Sequence, residues 1–431
     1  MKIKFKYIMI NLFSMLMPST VEMHLDNIHQ SVINNDYIEA YTQFETAISK
    51  FDASAVLYFK GANLALSLDK LDDASIYFNK AIELDLKNKD YRSAQEKLSL
   101  LRNDITNARK TFDSGRIDES IKEYEELCIK YPKNGIVFYN LGLIYKSNEQ
   151  YAKAVNNYKI ADNLNQYEHK YKLAIKAIAQ QMIKDGDTEY RRREFAYAIE
   201  KYKQAINFDS GYTVSYNKLA SAYLKIKEYD NSKIYLEQSL QLDPIQEKTE
   251  KLLGDVLLRL GDINSAISHY EIAISINSNY AKAYYSLGKI LFDQKNDFTA
   301  AEKSLQTALL LAPEYAKAHG TLGAVYQSQG KYQLAIESFI SSINIDNKSH
   351  VIHWRLSNVY NLLNKYELAK ASAKYCLQMN RNYAAAYYEL GLAEKSLGNK
   401  VASLAAFEKA KRDRNWRKLS EYQIKYYDAN K

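Results

Sequence analysis

The sequence predicts an all-α protein of the α-solenoid class, built by stacking helix pairs one after another. Three observations lead there. Small residues return at a fixed spacing inside runs of large ones. Ten of the 14 glycines and three of the 4 prolines fall in register with that spacing. The segments between turns are rich in Ala, Leu, Lys, Glu and Gln, which favour helix, and alternating valine-rich strand patterns are absent. At 431 residues the chain exceeds one ordinary core, which an elongated array of repeats accommodates.

The unit is clearest in "VFYNLGLIYKSNEQYAKAVNNYKIA", residues 137–161. With Gly135 as position 1, Phe138, Leu141, Gly142 and Tyr145 fall at positions 4, 7, 8 and 11, one face of a helix. Ala154, Tyr158 and Ala161 fall at 20, 24 and 27, a face of a second helix. The polar "SNEQ" between them is the turn. Position 8 recurs as Gly142, Gly186, Gly254, Gly288, Gly323 and Gly391, and alanine recurs at 20 and 27. Small residues on both partners let the two axes approach closely, while bulky residues at 7, 11 and 24 fill the space around the crossing.

The helix ends agree. Gly115, Gly261, Gly330 and Gly398 fall at position 15, where the first helix stops and a left-handed residue is commonly needed. Pro132, Pro244 and Pro313 fall at position 32 and end the second helix.

This pattern resembles the tetratricopeptide repeat, with bulky residues at 4, 7, 11 and 24, small ones at 8, 20 and 27, and Pro near 32. Eleven repeats begin near residues 21, 55, 101, 135, 179, 213, 247, 281, 316, 350 and 384, and the resemblance covers 21–417. It implies a right-handed superhelix whose inner wall is lined by the first helices, with positions 2, 5, 9, 12 and 13 facing a groove.

The expected division is a signal peptide over 1–20, then repeats one and two over 21–88. Repeats three and four, with a lengthened first helix, take 89–168; repeats five to eleven take 169–417; the end of a capping helix takes 418–431. Before the third repeat, Ala94, Leu98, Leu101, Ile105, Ala108 and Phe112 step by four and three, so its first helix extends backwards. Residues 169–178 do likewise before the fifth, and the solenoid is expected to change direction at both places. The eighth repeat carries one extra residue near "QKNDFTAAE". After residue 410 the period ends. Trp416, Leu419, Tyr422 and Tyr426 form one stripe, read as a solvating last helix or as a basic docking helix.

"MKIKFKYIMINLFSMLMPST" has lysines, an apolar run from Tyr7 to Met17 and then small residues, the order of a secretory leader. The run is too short to span a bilayer. Export to a periplasmic or extracellular space is expected if the leader is real, and a cytoplasmic location otherwise. The balance of 59 basic and 51 acidic residues, +8, is a mild excess, so no nucleic-acid partner is expected.

No catalytic motif, glycine-rich phosphate loop or paired CxxC is present. No catalytic, cofactor or metal site is expected. His350 and His353 lack a carboxylate or thiolate at matching spacing. Cys128 and Cys376 are placed at position 27, the small buried site of the second helix, and "EYRRREF" reads as a solvated turn.

Binding is expected instead. The groove candidates are Tyr139, Asn217, Lys251, Tyr285, Trp354 and Tyr388 at position 5, Lys289 and Asn358 at position 9, and Arg259 at position 13. Rings give rigid contact area, Asn pairs with a peptide backbone, and Lys draws acidic groups. Equally, the rings can pack against the next repeat and the lysines can be merely solvated.

Some family members clamp the C-terminal carboxylate of a chaperone. Starting from Lys251, this sequence offers Asp255, Ser286, Lys317 and Thr321, where only the two lysines match and Asp255 repels a carboxylate. The expected function is a non-catalytic scaffold that binds a peptide segment or protein surface in the groove, in cell-envelope assembly. A carbohydrate or envelope-polymer binder and a cytoplasmic regulator are the alternatives. Self-association through the terminal repeats is a further expectation.

Overall fold

The computed structural model describes residues 20–429, and the expected leader lies outside them apart from Thr20. Among the described residues there are twenty-three α-helices, one π-helical turn and no strand. Twenty-two helices form eleven helix–turn–helix pairs, and the last, Arg417–Ala429, follows the eleventh pair. The protein is an all-α solenoid. It divides into two compact units, one ending at Ser215 and the other beginning at Tyr216.

One contact recurs at the crossing. In five repeats the ring at position 24 of the second helix lies where a glycine leaves the first helix without a side chain, and in the eighth Leu305 does the same at Gly288. A Cβ added to Gly142 would sit 2.5 Å from Tyr158, and one on Gly391 would sit 2.5 Å from Phe407. Both rings are fully buried. Burying such a side chain contributes about 1.5–3 kcal/mol, so this contact is a main source of stability in the repeats that have it.

Where serine replaces the small residue, its hydroxyl stays satisfied across the same crossing. Ser120 donates to the Ala108 carbonyl at 3.0 Å, Ser232 to Ala220 at 2.8 Å and Ser403 to Gly391 at 2.9 Å. Ser357, on the opposite helix, donates to Ala369 at 2.8 Å.

The turns share one conformation. Position 15 has positive φ in all eleven repeats, at glycine in four of them and at Asn35, Asp69, Glu149, Arg193, Lys227, Asn296 and Asn364 in the others. Asn and Asp tolerate this region. Glu149, Arg193 and Lys227 carry the steric cost of roughly 1–2 kcal/mol each. Side-chain caps start several helices, as where Asn134 Oδ1 accepts from the Val137 N–H at 3.2 Å. The extra residue of the eighth repeat is absorbed by a π-helical turn, Leu291–Lys295.

In the first unit two helices are long, Lys89–Asp113 with 25 residues and His169–Arg191 with 23. The first runs twelve residues ahead of its repeat, about 18 Å of extra rod. Repeats that are not neighbours meet here. Asp69, in the turn of the second repeat, accepts from Asn165 Nδ2 at 2.8 Å and from the Tyr171 hydroxyl at 2.7 Å. Gly135 passes so close that a Cβ would lie 2.8 Å from the same carboxylate.

One placement needs correcting. Cys376 is buried at position 27, but Leu127 takes that place in the third repeat. Cys128 is the next residue round the helix and is only half-buried.

Two outcomes follow. Gly142→Ala should lower stability by about 2 kcal/mol by forcing the Tyr158 ring out of its seat, read from urea unfolding at 222 nm. Burial raises the Asp69 carboxyl above its ordinary range, against the hydrogen bonds from Tyr171 and Asn165. The folded chain therefore binds this proton more tightly than the unfolded chain. The resulting stability is present at low pH and is lost as pH rises through the folded value. Asp69→Asn keeps the acceptor and suits positive φ. It should remove the gain in urea midpoint that the first unit shows on moving from about pH 7 to about pH 5.

Candidate functional site

The joints between repeats decide where a site can form. Position 5 of one repeat packs on an aromatic residue that opens the next. The ring centroids of Phe59 and Tyr91 lie 4.6 Å apart, of Tyr139 and Tyr171 5.2 Å, and of Tyr285 and Tyr315 4.8 Å. Trp354 meets Tyr383 edge-on at 5.8 Å, and Tyr388 meets Trp416, just ahead of the last helix, at 5.0 Å. Each pair contributes about 0.5–1.5 kcal/mol beyond area burial. Tyr139, Trp354 and Tyr388 are thus engaged at joints.

The two asparagines are also engaged. Asn217 donates to Gln246 Oε1 at 3.0 Å. Asn358 accepts from Gln327 at 2.7 Å and donates to Glu389 at 2.8 Å. Asn361 donates to the second oxygen of Glu389 at 2.8 Å, and Arg355 donates to Gln327 at 2.9 Å. A polar chain therefore crosses repeats nine to eleven. Burial raises the Glu389 carboxyl, against its two asparagine donors, and burial lowers the Arg355 guanidinium.

Six repeats have no ring at position 5, and in the first, third, fifth and sixth that place is taken by Leu25, Ile105, Ile183 and Asn217. Position 5 is Lys251 in the seventh and Gly320 in the ninth. Lys251 turns to Asp255, four residues on, at 2.5 Å. Asp255 is held from the other side by the Tyr270 hydroxyl at 2.9 Å. Gly320 offers no side chain, and a Cβ there would lie 2.7 Å from Ile352.

Two clefts open at these gaps. One, of about 910 Å³, is lined by the first helices of repeats seven and eight and the start of the ninth. The other, of about 470 Å³, passes Gly320 and reaches Arg355. Tyr285, Lys289, Asp293 and Lys317 line both. Of the sequence candidates, Lys251, Arg259, Tyr285 and Lys289 converge on the larger cleft.

The larger cleft is basic. Seven cations line it against two carboxylates, Asp255 and Asp293. Lys251 and Lys289 pair with these two acids at i,i+4 spacing. Lys225 and Lys227, at the end of the sixth repeat's first helix and in the turn after it, were absent from the sequence candidates. Lys225 shares position 13 with Arg259, so the repeat pattern carried its signal, whereas Lys227 lies in the turn and only the stacking brings it to the cleft. Asp293 arrives through the π-helical turn. Lys282 and Lys317, both at position 2, were visible in the sequence as a recurring lysine.

Among the described residues no helix is long and apolar enough to cross a membrane. Eleven stacked helix pairs with charged gaps in their joints define a repeat scaffold of the kind that works by binding other proteins. Tetratricopeptide repeat profiles match residues 55–88, 137–168, 214–246 and 294–343, and a profile described as TPR repeat matches 254–295. The chain belongs to the tetratricopeptide repeat proteins.

It is 25% identical over 291 residues to BBSome complex member BBS4 of Bos taurus, covering 66% of this chain and 54% of the relative. With anaphase-promoting complex subunit 3 of Schizosaccharomyces pombe it shares 22% over 175 residues, 40% of this chain and 26% of that one. The match thus spans about half of the bovine relative and a quarter of the yeast one. A TPR repeat-containing protein of Methanocaldococcus jannaschii is 22% identical over 386 residues, 80% of this chain and 67% of its own. The solved structure of Pseudomonas aeruginosa pilF aligns with a TM-score of 0.45 at 20% identity, over 52% of this chain and 99% of that one.

Joint residues and cleft residues should separate by stability. Trp416→Ala removes the ring against Tyr388 and should lower the stability of the second unit by about 2 kcal/mol. Lys289→Ala, at an exposed position, should change it by less than about 0.5 kcal/mol. Urea unfolding of both variants reads the difference.

Proposed function

We propose that the protein is a non-catalytic scaffold that holds an extended segment of a partner protein in the cleft of repeats seven to nine. The convergence of Lys251, Arg259, Tyr285 and Lys289 on one open cleft carries this reading. In the fourth and tenth repeats the position-5 ring packs on the residue that opens the next repeat. Lys251 and Gly320 supply no such ring, and beside the Tyr285–Tyr315 pair between them charged and polar groups line the space, as peptide capture requires. The bovine and yeast relatives are named as members of multisubunit complexes, which supports a role in assembly.

The cysteines favour a non-catalytic reading. Burial pushes the Cys128 thiol up to about 12 and the Cys376 thiol up to about 11. Neither is a useful thiolate near neutral pH. The pairing of Tyr285 with Tyr315 weighs against sugar stacking as the main mode of binding. Export and an envelope setting rest on the residues before Thr20 alone. Sequencing of the mature N-terminus tests that part, and an intact Met1 removes it.

A photo-crosslinking residue placed at Lys289 should capture a defined partner peptide, mapped by mass spectrometry. The same residue at Lys97, in the first unit, should not. Lys251→Glu should sharply reduce the product while leaving helical content unchanged. Equal capture at both positions, or none at Lys289, sinks the assignment.

A further inference from the structure

We propose that the cleft takes an internal acidic segment of its partner, gripped through side-chain carboxylates and not through a chain end. This rests on the reading of the cleft as a peptide site.

The protein leaves part of the charge in this cleft unmatched. Lys251 and Lys289 are paired with Asp255 and Asp293. Lys225, Lys227, Arg259, Lys282 and Lys317 line the same cleft and form no ion pair among the described residues. Five like charges facing one space repel one another, and an anionic occupant relieves that repulsion.

These cations are widely spaced. Lys282 and Lys289 are seven residues apart on one helix, about 10.5 Å along its axis, and Lys251 and Arg259 are eight apart, about 12 Å. Neighbouring helix axes lie roughly 8–10 Å from each other. A single terminal carboxylate cannot bridge such a field. An extended chain advances about 6.7 Å for every two residues, so acids at alternate positions present a row of charges on the same scale.

Two acids also line the cleft. Asp255 stands beside Lys251 and cancels the charge that a chain end would need. Both Asp255 and Asp293 can accept N–H groups from a peptide backbone, whereas they repel a phosphate backbone. The Tyr285 and Tyr315 rings pack on each other at a tilt of 47°, so neither is a free platform of the kind on which nucleic-acid bases stack.

Fluorescence anisotropy with the full chain tests this. The probe is a labelled, C-amidated peptide alternating Glu and Ala. It should bind, weaken steeply with salt, and bind no better with a free C-terminal carboxylate. The same peptide with Gln for Glu should bind about tenfold more weakly or worse. Lys282→Glu combined with Lys317→Glu should weaken the acidic peptide by a similar factor. A peptide alternating Lys and Ala should bind that variant better than it binds the native chain, which excludes a mere folding defect.

Equal binding of the Gln peptide, a strict need for the free carboxylate, or no saturation up to about 1 mM overturns the proposal. So does oligothymidylate that binds more tightly and displaces the peptide. If crosslinking at Lys289 still captures a partner in any of these cases, the cleft remains a protein-binding site and only its acidic preference falls. If crosslinking fails as well, the cleft itself is misassigned.

Discussion

The fold depends on close helix crossings, and in five of the eleven pairs a ring rests where a side chain is missing. In the repeat that begins at Gly135, the Tyr158 ring occupies the space that any Cβ on Gly142 would claim. That contact fixes the distance between the two helices and therefore where each face points. The remaining apolar positions can be filled in many ways once the distance is set, because interiors tolerate changes of shape better than changes of spacing. Serine enters the crossing only where its hydroxyl reaches a carbonyl on the opposite helix, as Ser232 does at Ala220.

The same logic of presence and absence makes the candidate site. A ring at position 5 closes a joint; a lysine or a glycine leaves it open. Lys251 and Gly320 are the two exceptions that border the basic clefts. The eighth repeat lies between them and keeps its ring pair, so Tyr285 and Tyr315 pack on each other among the lysines of the cleft. The π-helical turn after Ile290 holds the extra residue and carries Asp293 into the cleft. Binding capacity thus comes from local departures from the repeat, on a frame that the regular repeats keep stiff.

Buried polar groups hold particular repeats in register. Asp69 ties the second repeat to the region between the fourth and fifth. Glu389 ties the eleventh repeat to Asn358 and Asn361 of the tenth. Burying an acid is costly unless its oxygens find donors. Each of these acids has two donors, so another register would leave a charge without partners. Such contacts add specificity that apolar packing alone does not supply.

The sequence by itself determined the helix pairs, their number and the small residues at each crossing. These features recur at one spacing and reflect contacts inside a single repeat, so a period in the chain reveals them. Lys251, Arg259, Tyr285 and Lys289 were legible for the same reason, since their positions share a helical face. What was hidden depends on contacts between repeats. Glu149, Arg193 and Lys227 give no glycine signal, yet the turn imposes left-handed φ on them. Asn217 and Asn358 look available in a linear reading, and only stacking shows their amides bonded to Gln246 and Glu389. Tertiary structure alone decided which position-5 side chains close a joint and which leave a cleft. That outcome depends on the residue opening the next repeat and on how much space the two side chains fill together.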